Sequence, residues 1–224
     1  MFEKPIEAAL FDMDGLLIDT ESVYIEALQA AARAMGLEMP LAFCHSMIGH
    51  PSPVCEGMIR NFYGPAFHFE TFDGHFERHA AGRLEAGVPV KPGAAELLDF
   101  LKGAGLPLAL VTSSSPASVE KHLGRAGLYD RFDAIVTRND VVHAKPAPDI
   151  YLEAARRLGV PPAHCLAFED SNTGLSAAHA AGTMAIMVPD VLQPTDEVRA
   201  KCLHVAPDLH AVLQLLRAKL SPDG

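Results

Sequence analysis

The chain has 224 residues, 49% of them hydrophobic, with 18 Lys and Arg against 28 Asp and Glu and a formal net charge of −10. That length allows one large domain or a domain with a small insertion, and this apolar fraction can build a substantial core. No Lys/Arg cluster appears anywhere, which excludes a nucleic-acid groove and an anionic membrane surface, since both need concentrated positive charge.

The first predicted element is the apolar run Ala8-Ala9-Leu10-Phe11, a buried strand. It ends in Asp12-Met13-Asp14-Gly15. Desolvating two neighbouring carboxylates costs free energy unless a cation or hydrogen-bond donors offset it. A strand end followed by an Asp-Gly turn is the plainer reading of the same residues. The segment from about Glu21 to Gly87 lacks strand pattern. Ala27, Ala30, Ala31 and Ala34 predict a helix ending near Gly36, and His45 to Gly74 reads as short helices and loops. Gly87-Val88-Pro89-Val90-Lys91-Pro92-Gly93 is the expected return linker, stiffened by two prolines.

After the linker a helix-glycine-strand grammar repeats. Ala94, Leu97, Leu98 and Leu101 share a helix face, Gly105 stops it, and Leu106–Val111 is strand-like. Val119, Leu123 and Ala126 precede Gly127 and the strand Ala134–Val136. Tyr151, Ala154, Ala155 and Leu158 precede Gly159 and Cys165–Phe168. Leu175 and Ala178 precede Gly182 and Met184–Val188. Continuous apolar strands are buried on both faces, and their alternation with helices predicts a doubly wound parallel α/β sheet with right-handed crossovers. The expected division is a core of residues 1–20 and 88–224 with a helical insertion over 21–87.

The four cysteines, Cys44, Cys55, Cys165 and Cys202, are scattered without a CxxC pair. Neither a disulfide framework nor a zinc site is expected, and a reducing cytoplasm suits them. Met1-Phe2-Glu3-Lys4-Pro5 lacks the basic and apolar regions of a signal peptide, and no apolar run is long enough to span a bilayer. The expectation is a cytoplasmic monomer or homodimer that contacts neither membrane nor nucleic acid. The histidines add little: His68, His75 and His79 read as helical scatter rather than a metal site.

Ligands of open parallel sheets bind beyond the carboxyl ends of the strands. There this sequence places Asp12 and Asp14, then Thr112-Ser113-Ser114-Ser115, then Lys145, then Glu169-Asp170. Each has an ordinary alternative: a helix N-cap cluster, a solvated loop lysine, acids at a helix start. Together they make a charge-balanced kit for a phosphoryl group and a hard divalent cation.

The motifs Leu10-Phe11-Asp12-Met13-Asp14-Gly15-Leu16-Leu17-Ile18-Asp19-Thr20-Glu21, Val111-Thr112-Ser113, Lys145-Pro146-Ala147-Pro148-Asp149 and Phe168-Glu169-Asp170-Ser171-Asn172-Thr173-Gly174 resemble those of haloacid dehalogenase superfamily hydrolases with a small helical cap. The resemblance runs from Pro5 to about Leu215. It implies that Asp12 is a nucleophile forming an aspartyl-phosphate and Asp14 the general acid and then base. It further implies Mg²⁺ held by Asp12, the Asp14 carbonyl and Asp170, with Glu169 as a further ligand candidate. Thr112, with the Ser113 amide, would bind a phosphate oxygen, and Lys145 would neutralise charge. The implied activity is hydrolysis of a small phosphorylated metabolite, such as a sugar phosphate or a nucleotide-like phosphate.

Two alternatives accompany that reading. One is a sugar phosphomutase of the β-phosphoglucomutase kind; Tyr24 stands where that pattern carries a histidine, and Ser52 roughly where it carries a cap arginine. The other is a noncatalytic binding domain, at odds with an intact set of Asp12, Asp14, Lys145 and Asp170. Asp14 also separates the chain from the dehalogenases. The cap is expected to choose the substrate, with Glu21, His50 and Arg78 as candidate contacts. Their plainer readings are a helix N-terminal acid, a loop histidine and a surface arginine.

Overall fold

A computed structural model of the chain describes residues 4–48, 50 and 52–220. Strand β1 (Ala8–Phe11) is followed by four helices, α1 (Thr20–Ala34), α2 (Leu41–Met47), α3 (Ser52–Tyr63) and α4 (Phe69–Ala86). The remainder alternates: α5 (Ala94–Gly103), β2 (Leu108–Val111), α6 (Pro116–Ala126), β3 (Ala134–Val136), α7 (Asp149–Leu158), β4 (Cys165–Glu169) and α8 (Asn172–Ala180). It closes with β5 (Met184–Met187), α9 (Asp196–Arg199), β6 (His204–Val205) and α10 (Leu209–Leu220). The chain divides into two compact units, Met1–Asp19 with Pro89–Gly224, and Thr20–Val88.

The first unit is a six-stranded sheet in the order β3-β2-β1-β4-β5-β6, and every pairing is parallel. The expected doubly wound α/β architecture is therefore present. Residues of β1, β2 and β4 are all buried, which is why they read as unbroken apolar runs. Alternation sends Ala8, Leu10, Ala109, Val111, Cys165 and Ala167 into a core shared with Ile150, Tyr151 and Ala154 of α7 and Leu175, Ala177 and Ala178 of α8. On alternate positions Phe11 stacks on Phe168 at 4.7 Å between ring centroids. Helix α5 packs against β2 and α10. Gly127 ends α6 in the left-handed region at φ 68°, as a glycine placed after a helix should.

Strand order reverses at β1, whose neighbours are β2 and β4. Chains leaving those strands diverge and open a crevice at the carboxyl edge. Both crossings of the insertion lie beside β1's exit. Asp19 N donates to Pro89 O at 2.8 Å and Lys91 N donates to Leu17 O at 2.9 Å, so the return linker pairs with the outgoing chain.

The second unit is helical. Its core gathers Ala31, Ala32, Met39, Cys44, Met47, Ile59 and Phe72. An aromatic chain runs through it, with Phe43 stacked on Phe62 at 4.2 Å and Tyr63 on Phe67 at 4.7 Å. The structure corrects the reading of this region as short helices, because α4 runs 18 residues. Only Phe72 and Ala80 of α4 are buried, so its sequence carries little apolar period. Strand β6 and helices α9 and α10 lie beyond the elements anticipated; at two residues, β6 is too short to show any pattern.

Candidate active site

Lys145 organises the carboxyl edge of the sheet. Its side chain is 7% exposed, and its ammonium donates to Asp12 Oδ1 at 2.5 Å, Glu169 Oε1 at 2.6 Å and the Val111 carbonyl at 3.1 Å. Three N–H donors thus meet three acceptors, one each from the ends of β1, β2 and β4. Burial works against this cation, but the Asp12 and Glu169 carboxylates outweigh it and hold Lys145 charged.

Glu169 is the last residue of β4 and is entirely buried. Besides Lys145, its Oε1 accepts from the Tyr151 hydroxyl at 2.6 Å, and its Oε2 accepts from Ser171 Oγ at 3.1 Å. The acid sits this close to α8 because Gly174 has no side chain. A Cβ there would lie 2.0 Å from both Glu169 oxygens. Ser171 also caps α8, accepting from Gly174 N at 3.0 Å.

Asp12, Glu169 and Asp170 each offer an oxygen, and these lie within 4.8 Å of one another. Burial pushes the Asp12 carboxyl above the usual carboxylate range; Lys145 opposes this, while Glu169 and Asp14 reinforce it. Asp170 is raised for the same first reason, burial, with Asp12 and Glu169 adding to it. One ammonium therefore faces more carboxylate charge than it balances. Clustered oxygen donors with surplus negative charge suit a hard divalent cation.

Asp14 is held from the other side. Ser114 Oγ donates to its Oδ2 at 2.7 Å and Thr112 Oγ1 does so at 3.4 Å. Thr112 is fully buried and Ser113 beside it is exposed. Only part of the hydroxyl run is a helix cap: Ser115 accepts from Ser118 N at 3.3 Å at the start of α6.

Gly15 (φ 80°) permits the close approach of Asp170. A Cβ at this position would come within 2.3 Å of Asp170 Oδ2 and 3.3 Å of Asp190 Oδ2. Asp190 follows β5 and accepts from Lys91 Nζ at 2.6 Å through Oδ1, while its Oδ2 is buried with no hydrogen-bond partner among the described residues. Substituting Gly15→Ala should cost more than the ~1 kcal/mol typical of forcing alanine into positive φ, because Asp170 must also move. Urea denaturation checks the stability loss, and a metal titration should show weaker binding. Unchanged values in both would contradict this reading of the turn.

The structure thus brings Asp12, Asp14, Thr112, Lys145, Glu169 and Asp170 together on one unit. Sequence reasoning placed Ser114 at this edge within the hydroxyl run but gave it no role of its own, and it missed Tyr151, Ser171, Lys91 and Asp190 as parts of the site. Asp190 was findable, since it follows the fifth apolar run as Asp12 follows the first. Tyr151 was read only as a core position, although a buried phenol needs a partner for its hydroxyl.

The other candidates lie on the helical unit. Glu21 and His50 line a cavity of about 520 Å³ there, and Arg78 is not among its lining residues. Arg78 is exposed and turns back on its own helix, donating to Gly74 O at 2.9 Å.

Residues 6–182 match the family model described as haloacid dehalogenase-like hydrolase. The chain is similar to a Bacillus subtilis protein named "Putative phosphatase YhcW", 37% identical over 195 residues that span 85% of this chain and 86% of that one. It is also similar to the "Probable pseudouridine-5'-phosphatase" of Drosophila melanogaster, 36% identical over 84% of this chain and 83% of that one. Among solved structures, one described as a "putative beta-phosphoglucomutase" from Thermotoga maritima superposes with a TM-score of 0.82 at 29% identity, covering 95% of this chain and 99% of that one.

Proposed function

The chain belongs to the haloacid dehalogenase-like hydrolase family, and from that premise we propose that it is a phosphatase releasing phosphate from small phosphorylated metabolites through a covalent aspartyl-phosphate on Asp12. The observation that carries this reading is the meeting of Asp12, Lys145 and Glu169 at the strand-order reversal, with Asp14 one turn away.

An Asp12 oxygen attacks phosphorus and the ester oxygen leaves. Asp14 gives that oxygen a proton, then takes one from the water that cleaves the acyl-phosphate. Ser114 and Thr112 hold Asp14 Oδ2, which sets the direction of Oδ1 for this proton work. Lys145 binds the nucleophile's other oxygen and lowers the charge that an incoming phosphoryl group meets. The Ser113 amide and the Thr112 hydroxyl are the proposed phosphate donors; having one proton, the Thr112 hydroxyl would turn from Asp14 to the phosphate oxygen when substrate binds and leave Ser114 to hold Asp14.

The proposed cofactor is Mg²⁺, suited to an all-oxygen donor set. Asp12 and Asp170 would hold it with the Asp14 main-chain carbonyl. Glu169 already accepts hydrogen bonds through both oxygens and serves chiefly to fix Lys145, with its role as a metal ligand secondary. Bound there, the cation would shield the negative charge of nucleophile and phosphoryl oxygens from each other. Substrate choice is assigned to the helical unit, with Glu21 and His50 as the contacts retained from the sequence reading. A cytoplasmic setting is proposed from four free cysteines; among the described residues no helix is long and apolar enough to cross a membrane.

Removing the Ser114 hydroxyl tests the role given to Asp14. Ser114→Ala loses a hydrogen bond to a charged group, worth about 1.5–3 kcal/mol, so kcat should fall about 10-fold or more and the melting temperature should drop by several degrees without loss of the fold. A steady-state phosphate-release assay reads this directly, and an unchanged kcat would remove Ser114 from the mechanism.

A sugar phosphomutase is the second reading, favoured by the structural likeness to the Thermotoga maritima protein. Product analysis separates the two. A hydrolase releases inorganic phosphate, whereas a mutase returns an isomerised sugar phosphate.

A further inference from the structure

Two carboxylates of the first unit meet at the turn after β1. The point that a Cβ on Gly15 would take lies 2.3 Å from Asp170 Oδ2 and 3.3 Å from Asp190 Oδ2. The two oxygens are therefore no farther apart than two hydrogen bonds laid end to end, at ~2.8 Å each. Asp170 belongs to the acidic trio suited to a divalent cation, with Asp12 and Glu169. Asp190 is not a member of that trio, so its place is beside the cluster rather than in it.

The two oxygens of Asp190 are in different situations. Oδ1 accepts from Lys91 Nζ at 2.6 Å, in a pair whose side chains are 23% and 14% exposed for Lys91 and Asp190. Lys91 is itself tied down, since its backbone N–H donates to Leu17 O at 2.9 Å. The pair fixes the direction of the carboxylate and balances its charge. Oδ2 is buried, and no donor among the described residues reaches it. A carboxylate oxygen so placed has given up hydration without a hydrogen bond in return. The chemistry able to supply a donor lies across Gly15, on the side of Asp170. Mg²⁺ held by a few carboxylates keeps several of its waters, and its charge makes them strong donors.

We propose that Asp190 is a positioning residue for the divalent cation: its Oδ2 accepts from a water of the cation's hydration shell, and Lys91 aims it by holding Oδ1. The proposal rests on the assignment of Mg²⁺ to Asp12 and Asp170 and adds to it a partner outside the ligand set. Lys91 offsets the charge of Asp190, so the contribution comes from the placed acceptor. Partners of this kind are typically worth ~10–100-fold in metal affinity.

Titration calorimetry of the metal-free, full-length protein with Mg²⁺ tests it. Asp190→Asn keeps the shape of the side chain. With its oxygen turned to Lys91, the amide puts an NH₂ where Oδ2 was, so donor faces donor. Mg²⁺ affinity should fall at least ~10-fold. Asp190→Ala removes the same charge but leaves room for a water to accept instead, so its loss of affinity should be smaller. A role confined to holding Lys91 predicts the reverse order, because Asn keeps that bond and Ala does not. Unchanged affinity in Asp190→Asn, or a loss no greater than in Asp190→Ala, overturns the proposal. Asp170→Asn, which removes a proposed ligand, keeps the two readings apart and should bind Mg²⁺ more weakly than either Asp190 variant. If Asp170→Asn binds Mg²⁺ as the wild type does, the assignment of the cation fails and the role of Asp190 with it. If Asp170→Asn alone loses affinity, the assignment stands and the role of Asp190 falls.

Discussion

Asp12→Asn should lower phosphate release by about 10⁴-fold or more, because an amide cannot capture phosphorus and no neighbouring group replaces it. The fold should survive the change. Asparagine's oxygen still accepts from Lys145, which also keeps Glu169 at 2.6 Å and the Val111 carbonyl at 3.1 Å. Stability should respond to pH in a defined direction. In the metal-free protein Asp12 rises from an ordinary 3.8 to about 7 on folding, so between those values the folded chain binds more proton than the unfolded one. Wild-type stability therefore falls as pH rises through that window, and the Asn variant lacks this contribution. Thermal unfolding at pH 5 and pH 8 without metal should show the variant gaining on the wild type at the higher pH. A variant that unfolds more readily at pH 8 would mean that Asp12 stabilises the fold as an ion.

Lys145→Ala should damage both stability and turnover. Among the described residues the ammonium is the one cation bonded to Asp12 and Glu169, and removing one partner from a buried ionic cluster typically costs about 3–5 kcal/mol. Asp12 and the Val111 carbonyl would lose a donor, and Glu169 would keep the Tyr151 and Ser171 hydroxyls and the Ser171 amide. Activity should drop by about 10²–10³-fold, the scale of losing one preorganised electrostatic contact to the reacting group. Urea denaturation and steady-state kinetics measure the two effects. Addition of Mg²⁺ should recover part of the lost stability, because a cation at the acidic cluster offsets the same surplus charge. Stability equal to wild type without metal would show that the carboxylates do not need Lys145.

The parts of this protein that announce themselves in the sequence are those where burial and chemistry coincide at the end of an element. The run Ala8–Phe11 is buried throughout, so its apolar character is continuous and its abrupt end in Asp12 stands out. Cys165–Glu169 behaves likewise, although Glu169 belongs to the strand rather than to the start of the next helix. Helix α4 was obscured because most of its surface faces water and few positions carry apolar period. Tyr151 was hidden for the opposite reason. Its ring fills the core beside Ala154 and Ala155, and only three-dimensional proximity places its hydroxyl against Glu169. The Lys91–Asp190 pair spans 99 residues and leaves no local trace. Arg78 shows the converse limit: a cation placed suggestively in the chain spends its donors on its own helix.

The central claim is that Asp12 carries the phosphoryl group during turnover. Acid quench of the enzyme during steady-state hydrolysis, followed by peptide mass spectrometry, tests it most directly. The account predicts a phosphoryl group on the peptide containing Asp12, present in the wild type and missing from Asp12→Asn. Rapid phosphate release with the label on another residue, or undiminished release from Asp12→Asn, would contradict it.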